Sequence, residues 1–594
     1  MRIIKIIGLV TFLVGFILFN ATTFWASYRL TPTVVKEKIT DDKKEKLFLE
    51  HAAPFIDKTV HSNYDFVQTL NEIFARANAQ QLQRYNITNE DIKGLVKRSR
   101  NKFTIPPQDS IFRTSNEVAV FQNKAFREYG RELQGKEFAS EEELQTNLQE
   151  IAEKINKYST INQVGFDRYA IKDLQYSLTK ASAVGPVKNR PLLFLFLTFG
   201  LCIIGAMLYI LPKLQHQPGI KNDQIFFNPM KNVGWLGILT GTWLIVFYIL
   251  LYFHPEYMTN WVIMVDPVSK LINGHEAGRF FLYGFIYTLC IIIMGVRFII
   301  HYRHSKYQVL RTISVMFFQT AFAFLIPEIL VRLNQPYYDF KNIWPLDYSF
   351  FFDYRLNAMV DNGTIGIFML GWGIALIIVA VPVLVYFFGK RWYCSWVCGC
   401  GGLAETMGDP YRQLSQNSLK AWKFERWIVH GVLVFAVVMT IGVLYTYFTK
   451  SSQFFFIDTY TLREIYGIYI GAGFAGVIGT GFYPLMGNRV WCRYGCPLAA
   501  YLGLVQKFKS RFRITTNGGQ CISCGNCSTY CEMGIDVRWY AQRGQNIVRS
   551  SCVGCGICSA VCPRGVLNLE VKDEKGRFGN PVLIGNNHIK IMEP

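Results

Sequence analysis

Cysteine is the residue type in this chain with the most chemistry in reach, and its placement is uneven. Of 15 cysteines, 13 follow Tyr393 and none precedes Leu201. Disulfide scaffolds are small and spread their cysteines along the chain, so this clustering points to metal ligation. Two runs near the C-terminus read Cys521-x2-Cys524-x2-Cys527-x3-Cys531 and Cys552-x2-Cys555-x2-Cys558-x3-Cys562-Pro563. Thiolates at this spacing hold [4Fe–4S] cubanes, and the fourth cysteine of each run ligates the cluster of the other. One cubane is therefore expected on Cys521, Cys524, Cys527 and Cys562, and the other on Cys552, Cys555, Cys558 and Cys531. Gly525, Gly554 and Gly556 give these tight loops their backbone freedom. Structural zinc also uses CxxC pairs, but three close cysteines plus a distant fourth, twice over, is not its usual pattern. Glu532 follows Cys531 where proline is usual. An acidic neighbour there would lower that cluster's potential without removing a ligand.

A second pair of motifs reads Gly389-Lys-Arg391-Trp-Tyr-Cys394-Ser-Trp-Val-Cys398 and Gly487-Asn-Arg489-Val-Trp-Cys492-Arg-Tyr-Gly-Cys496-Pro497. Arginine and both cysteines recur at one common offset, which marks an internal repeat of a helical hairpin followed by Cys-x3-Cys. Duplicated hairpins bring equivalent ends together, so Cys394, Cys398, Cys492 and Cys496 are expected to converge on a third site at the membrane surface. Cys400 is a fifth cysteine here and an alternative ligand to Cys398. Buried or free thiols at a helix packing point are the plainer reading of the same residues. Flanking arginines suit an anionic cluster, and they also suit anchoring at a basic membrane face.

The elements that must position these cysteines are membrane spans. Hydrophobic residues make up 51% of the chain, and eight apolar runs are long enough to cross a core of about 30 Å. They fall near Ile3–Trp25, Leu192–Leu211, Val233–Phe253, Phe280–Ile300, Ile313–Val331, Ile365–Phe388, Trp427–Phe448 and Ile465–Leu485. The first resembles a signal peptide and is expected to be a retained anchor. Arg2, Lys5, Lys213, Lys221, Lys231, Arg303, Lys306, Lys390 and Arg391 lie in alternate loops. The other loops carry Glu256, Asp266, Glu276, Asp339, Asp347, Asp353 and Asp458. The positive-inside bias then places both termini in the cytoplasm. It also accounts for the net charge of +20 without a nucleic-acid partner, because a nucleic-acid binder would not carry these apolar runs.

The polar stretch from Ser27 to Arg190 must face outward, and 3.6-residue periodicity predicts helices around Thr69–Gln83, Glu117–Leu133 and Glu141–Tyr158. Ser140-Glu-Glu-Glu143 is a capping box at the start of the last. The stretch holds no cysteine, haem-attachment motif or phosphate-binding glycine loop, which fits a docking or sensing bundle. Among weaker signals, Glu328 offers a quinol proton acceptor, although an ion pair with Arg332 one turn on is the simpler expectation. His275, Glu276 and Arg279 form a loop where a quinone head group can dock, although a solvated loop is the simpler reading. Cys202 and Cys290 lie in apolar runs, where lone cysteines are usually inert. The aromatic region Tyr337–Tyr354 reads as an outer interfacial belt.

Paired Cys-x3-Cys hairpins followed by a dicluster ferredoxin tail resemble the membrane-bound polyferredoxins of the NapH/NosR/CcoG type, over roughly Ile365 to Glu570. Gly399 departs from the proline usual after the first Cys-x3-Cys, and the flavin-attachment sequence of related proteins is missing. The fold expected is mainly α: a polytopic helical membrane protein of about eight spans, with an extracytoplasmic helical domain and a C-terminal α+β dicluster ferredoxin-like domain. Its divisions are an anchor at 1–26, the helical domain at 27–190, the transmembrane domain with both hairpin repeats at 191–506, and the 2[4Fe–4S] domain at 507–594. The resemblance implies electron transfer in a bacterial cytoplasmic (inner) membrane, between a cytoplasmic or quinol partner and another redox subunit or an extracytoplasmic metalloenzyme. An assembly factor that reduces a metal or thiol for a client enzyme, and a redox sensor, are the alternatives. Such a chain is an electron-transfer subunit rather than a stand-alone enzyme, since outer-sphere transfer needs no acid–base residue.

Overall fold

Apolar runs inside a bilayer must satisfy their backbone polar groups internally, which favours helices. The computed structural model describes residues 2–99, 117–133, 135–216, 218, 234–451, 453–454, 457–517 and 519–571, and they are mainly helical. Among the described residues, six helices are long and apolar enough to cross a membrane: Arg2–Ala21, Pro191–Gln215, Arg279–Tyr302, Lys306–Arg332, Gly363–Phe388 and Leu419–Thr449. Gly237–Phe253 and Pro255–Ile272 meet at a bend of 113° and make a seventh span if taken together. The eighth apolar run is helical from Thr459 to Gly481, but glycines and tyrosines dilute it and it is not among the six. The loop carrying Lys221 and Lys231, and the C-terminal stretch 572–594, lie outside the described residues.

The chain forms two compact units. One comprises Asn20–Pro191 with Pro255–Met264. Its helices start where side chains cap them: Asp41, Ser62, Ser140 and Asp167 each accept a bond from a first-turn N–H. Ser140 takes the Glu143 N–H at 3.1 Å, while the Glu143 carboxylate reaches past Ser140 to the Ala139 N–H. The long helix Asn63–Tyr85 packs Phe74 against Phe48 and Phe166, with ring centroids 5.1 and 5.0 Å apart. Leu144, Leu148 and Phe126 close a second core. The other unit holds the remaining apolar helices together with the cysteine-rich tail.

Three two-stranded antiparallel sheets occur among the described residues. The one that matters here pairs Phe512–Thr516 with Leu567–Val571, Phe512 opposite Val571 and Thr516 opposite Leu567. It draws together the two ends of the segment that contains both tail cysteine runs.

Two weaker sequence signals resolve differently from expectation. Glu328 does not pair with Arg332: its carboxylate accepts from Asn273 Nδ2 at 2.7 Å, and Arg332 donates to the Leu271 carbonyl at 2.7 Å. The 271–273 turn satisfies both residues at once. The Tyr337–Tyr354 region is not a surface belt either. Tyr338, Ile343, Phe350 and Phe352 are buried, and only its flanks, such as Tyr337 and Tyr354, are exposed.

Candidate metal centres

The tail builds two cavities from short local elements. Helices Asn526–Thr529 and Ile557–Ala560 begin directly after Gly525 and Gly556 and carry the third cysteine of each run, Cys527 and Cys558. Cys521, Cys524, Cys527 and Cys562 line a cavity of about 360 Å³ with Ile522, Arg538 and Val566. Cys531, Cys552, Cys555 and Cys558 line another of about 370 Å³ with Ile514, Met533, Ile535 and Val553. The last cysteine of each run thus faces the other run's cavity. Burial pushes the Cys527 thiol up to about 11 and the Cys531 thiol up to about 12. A thiolate in either place needs a cation beside it, and iron supplies one as protons leave. Ile535 N–H donates to Cys531 Sγ at 3.4 Å, the kind of amide contact that stabilises cluster-bound sulfur.

A third cavity, about 270 Å³, is lined by Cys394, Cys398, Cys400, Cys492 and Cys496 together with Tyr393, Trp491, Leu498 and Ala499. The repeat explains the convergence. Gly389 and Gly487 hold φ of 66° and 93°, a region open to glycine, so each hairpin turns at the same point ahead of its cysteines. The second cysteine of each pair then caps a helix, Cys398 before Gly399–Thr406 and Cys496 before Pro497–Lys509. Helix N-termini favour negative charge, and Ala499 N–H donates to Cys496 Sγ at 3.4 Å, but burial and the neighbouring cysteines still raise the Cys496 thiol well above its ordinary value. Within the first pair the two cysteines are not equal. Burial pushes Cys394 up to about 12, whereas a hydrogen bond from the Cys400 thiol, outweighing burial, draws Cys398 down to about 6. Cys400 is therefore both a wall of the cavity and a hydrogen-bond partner of Cys398.

The hairpin repeat alone would put this cavity level with the ends of the spans, and the helix that follows Cys398 packs well inside two of them. A Cβ on Gly399 would be 3.6 Å from Tyr287 Cε1 and 2.7 Å from Gln319 Oε1. Tyr287 stands eight residues into Arg279–Tyr302, about 12 Å from that end, and Gln319 stands about 20 Å from either end of Lys306–Arg332. The cause is the run Gly399-Cys400-Gly401-Gly402. At Gly401 a Cβ would overlap the Cys394 carbonyl oxygen and lie 2.9 Å from Arg489 Nη1. Glycine at 399 and 402 lets the short helix pack directly against both spans, and glycine at 401 lets it pack against the Cys394 turn.

The loop that follows Lys306–Arg332 also comes close to the cavity. Ile343 and Leu346 belong to the same apolar cluster as Cys394, Cys398, Cys492 and Cys496. Lys341 is buried and pairs with Asp339 at 3.1 Å. Burial works against its charge, but Asp339 and the Cys398 sulfur outweigh it and raise the Lys341 pKa. Sequence reading missed Lys341, and only its position between two acidic residues and an aromatic run hinted at it. Cys202, by contrast, donates its thiol to the Phe12 carbonyl at 3.8 Å, and Cys290 packs beside Ile291 and Val315; neither lines a cavity described above.

Comparison with known proteins agrees with this geometry. Residues 372–418 and 469–515 match a family described as a 4Fe-4S binding domain, and residues 520–567 match a 4Fe-4S dicluster domain. The chain carries 4Fe–4S ferredoxin-type domains. The first match brackets the five cysteines of the third cavity, and the second spans both tail runs. Among curated relatives, YccM of Escherichia coli (strain K12), named for electron transport, is 27% identical over 172 residues, which is 27% of this chain and 47% of that one. The methylamine utilization ferredoxin-type protein MauN of Paracoccus denitrificans is 27% identical over 173 residues, covering 27% of this chain and 56% of its own. MauN of Methylobacillus flagellatus is 24% identical over 155 residues, 26% of this chain and 52% of that one. The chain spans about half the length of these relatives. No solved structure matches it.

Proposed function

We propose that this chain is a membrane-bound iron–sulfur electron-transfer protein of the polyferredoxin type, with three [4Fe–4S] centres. The tail centres use Cys521, Cys524, Cys527, Cys562 and Cys531, Cys552, Cys555, Cys558. The third uses Cys394, Cys492, Cys496 and one of Cys398 or Cys400, with Cys398 favoured because it stands where Cys496 stands in the repeat. When bound, each cluster takes up and releases single electrons without making or breaking bonds to a substrate. The protein's own task is therefore placement and charge. Cysteine loops fix the centres, apolar walls keep water from the inner two, and buried cations balance the thiolates.

One observation carries the direction of the reading. The helix that follows Cys398 packs against Tyr287 and Gln319, well inside two apolar helices, which supports a third centre within a bilayer core of about 30 Å. A surface site would leave the membrane interior without a relay, whereas this position supports passage from one face to the other. The tail side fits a donor in the cytoplasm of a bacterium, given the basic loops beside it. The far side fits a quinol, another redox subunit or an extracytoplasmic metalloenzyme.

Proteoliposomes with ferricyanide trapped inside test this reading. Dithionite added to the population whose tails face outward is expected to bleach the trapped oxidant, and Cys492→Ser is expected to stop it while both tail signals persist. Equal rates in wild type and Cys492→Ser would refute the crossing.

A further inference from the structure

Between the second tail cavity and the third lies a buried knot of charge. Arg489 pairs with Glu532 at 3.0 Å and with Glu405; Arg412 pairs with Glu532 at 2.6 Å; Arg311 pairs with Glu405. All five side chains are at most 4% exposed. Glu532 also accepts from Asn488 Nδ2 at 3.3 Å. The knot touches both cavities. Ligating atoms of Glu405, Glu532 and Cys555 lie within 4.8 Å of one another, and Cys555 lines the second tail cavity. On the other side Arg489 Nη1 donates to Cys492 Sγ at 3.6 Å and to the Cys394 carbonyl at 3.3 Å, and both cysteines line the third.

Three features separate this knot from an ordinary anchor. First, the glutamate that replaces the usual proline after Cys531 is its hub, so the tail run is joined to the membrane hairpin through its own ligand loop. Second, the carboxylates beside Cys555 are taken up by guanidinium groups, which rules them out as an additional cation site. Third, the knot is closed by its own charges, because Arg412 also pairs with buried Asp409 at 2.7 Å and three guanidinium groups meet three carboxylates, while Arg489 still donates an N–H to the Cys492 sulfur. Removing one member of such a buried pair leaves the other charge uncompensated.

We propose that Arg489, held by Glu532 and Glu405, is a positioning residue that couples the second tail centre to the membrane centre and sets the latter's potential. This rests on the three-centre reading above. The path Cys531–Glu532–Arg489–Cys492 joins ligand to ligand through one ion pair and one N–H···S contact. An N–H donated to a cluster sulfur, with a positive charge behind it, stabilises the more negative, reduced form and raises the potential.

EPR-monitored redox titration of the full chain in nanodiscs, with iron counted in each sample, tests it. Arg489→Gln is expected to shift the one-electron equilibrium of the membrane centre toward oxidation by tenfold or more, 59 mV per tenfold. Glu532→Gln is expected to shift it the opposite way, because it frees Arg489 from a carboxylate while keeping the side chain's shape. Glu405→Gln should move it in the same direction as Glu532→Gln, and serves if that variant does not fold. Arg489→Lys, which keeps the charge and loses the planar fork, should lie between wild type and Arg489→Gln. A purely mechanical anchor would change iron content or stability without opposed shifts. Unchanged potentials, or shifts of one sign in all variants, at full iron content, overturn the coupling alone. Wild-type protein with iron for the tail centres only overturns it together with the three-centre reading.

Discussion

Replacing Gly401 by alanine tests the position of the third cavity more sharply than removing a cysteine does. The new Cβ would overlap the Cys394 carbonyl oxygen, with the carbonyl carbon 3.2 Å away and Arg489 Nη1 2.9 Å away. Backbone cannot rotate aside, so restoring an ordinary contact near 3.5 Å needs a shift of about 1.4 Å between the helix Gly399–Thr406 and the Cys394 turn. Metal–ligand distances tolerate about 0.2 Å. Cys394 and Cys400 stand on the two sides of that clash, so the third centre should be lost while the tail centres, built from other loops, remain. Overpacking of this kind costs about 1–3 kcal/mol, which a folded chain can absorb. The expected result is about four fewer irons per chain, with tail EPR signals unchanged. Gly431→Ala is the control. Nothing lies within 4 Å of its Cβ, so iron content should stay unchanged. Wild-type iron in Gly401→Ala, or equal loss from every centre, would refute the placement.

Three further outcomes follow from the same geometry. Cys562→Ser should disturb the centre of Cys521, Cys524 and Cys527 and spare that of its own neighbours Cys552, Cys555 and Cys558, read by the spectrum of each reduced centre. Reporter fusions at Asn89 and Asn362 should report one side of the membrane and a fusion at Asn417 the other; agreement of all three would remove the span Gly363–Phe388. Burial alone would raise Asp409, yet Arg412 at 2.7 Å and Arg297 at 3.0 Å hold it down at about 2. Its stabilising contribution is therefore complete above an unfolded pKa near 3.9 and lost as pH falls through about 2. Asp409→Asn should cost about 3 kcal/mol at pH 7 and progressively less below pH 4 in thermal unfolding.

What could be read from the sequence was local. The tail spacing is a one-dimensional record of its loops, and the Gly-x-Arg…Cys-x3-Cys repeat recorded a turn made twice, visible as the matched glycines at 389 and 487. Caps at Ser140 and the helices of the polar stretch were legible for the same reason. Depth was not. Apolar runs show that helices cross, but not that the Gly399–Gly402 run lets a cysteine-bearing helix fold back along two spans. Nor does an aromatic-rich loop reveal that Ile343 and Lys341 turn inward while Tyr337 stays out. Glu328 and Arg332 made a plausible pair at helical spacing, and a distant turn with Asn273 out-competed it. Each miss is a contact between segments far apart in sequence, where spacing carries no signal.

On the three-centre reading, burial grades the chain of sites. Cys524 of the first tail cavity is exposed, Cys552 and Cys558 of the second are buried, and the third cavity has four buried cysteines among its five. Reduction adds negative charge, and each step away from water makes that charge harder to accept. Left alone, the innermost centre would have the lowest potential and would block flow. Cations stand near all three: Arg538 and Arg564 line the first tail cavity, Lys341 faces Cys398, and Arg489 donates to Cys492. At the innermost site desolvation and positive charge thus act against each other, so loss of either cation there should lower the potential of that centre.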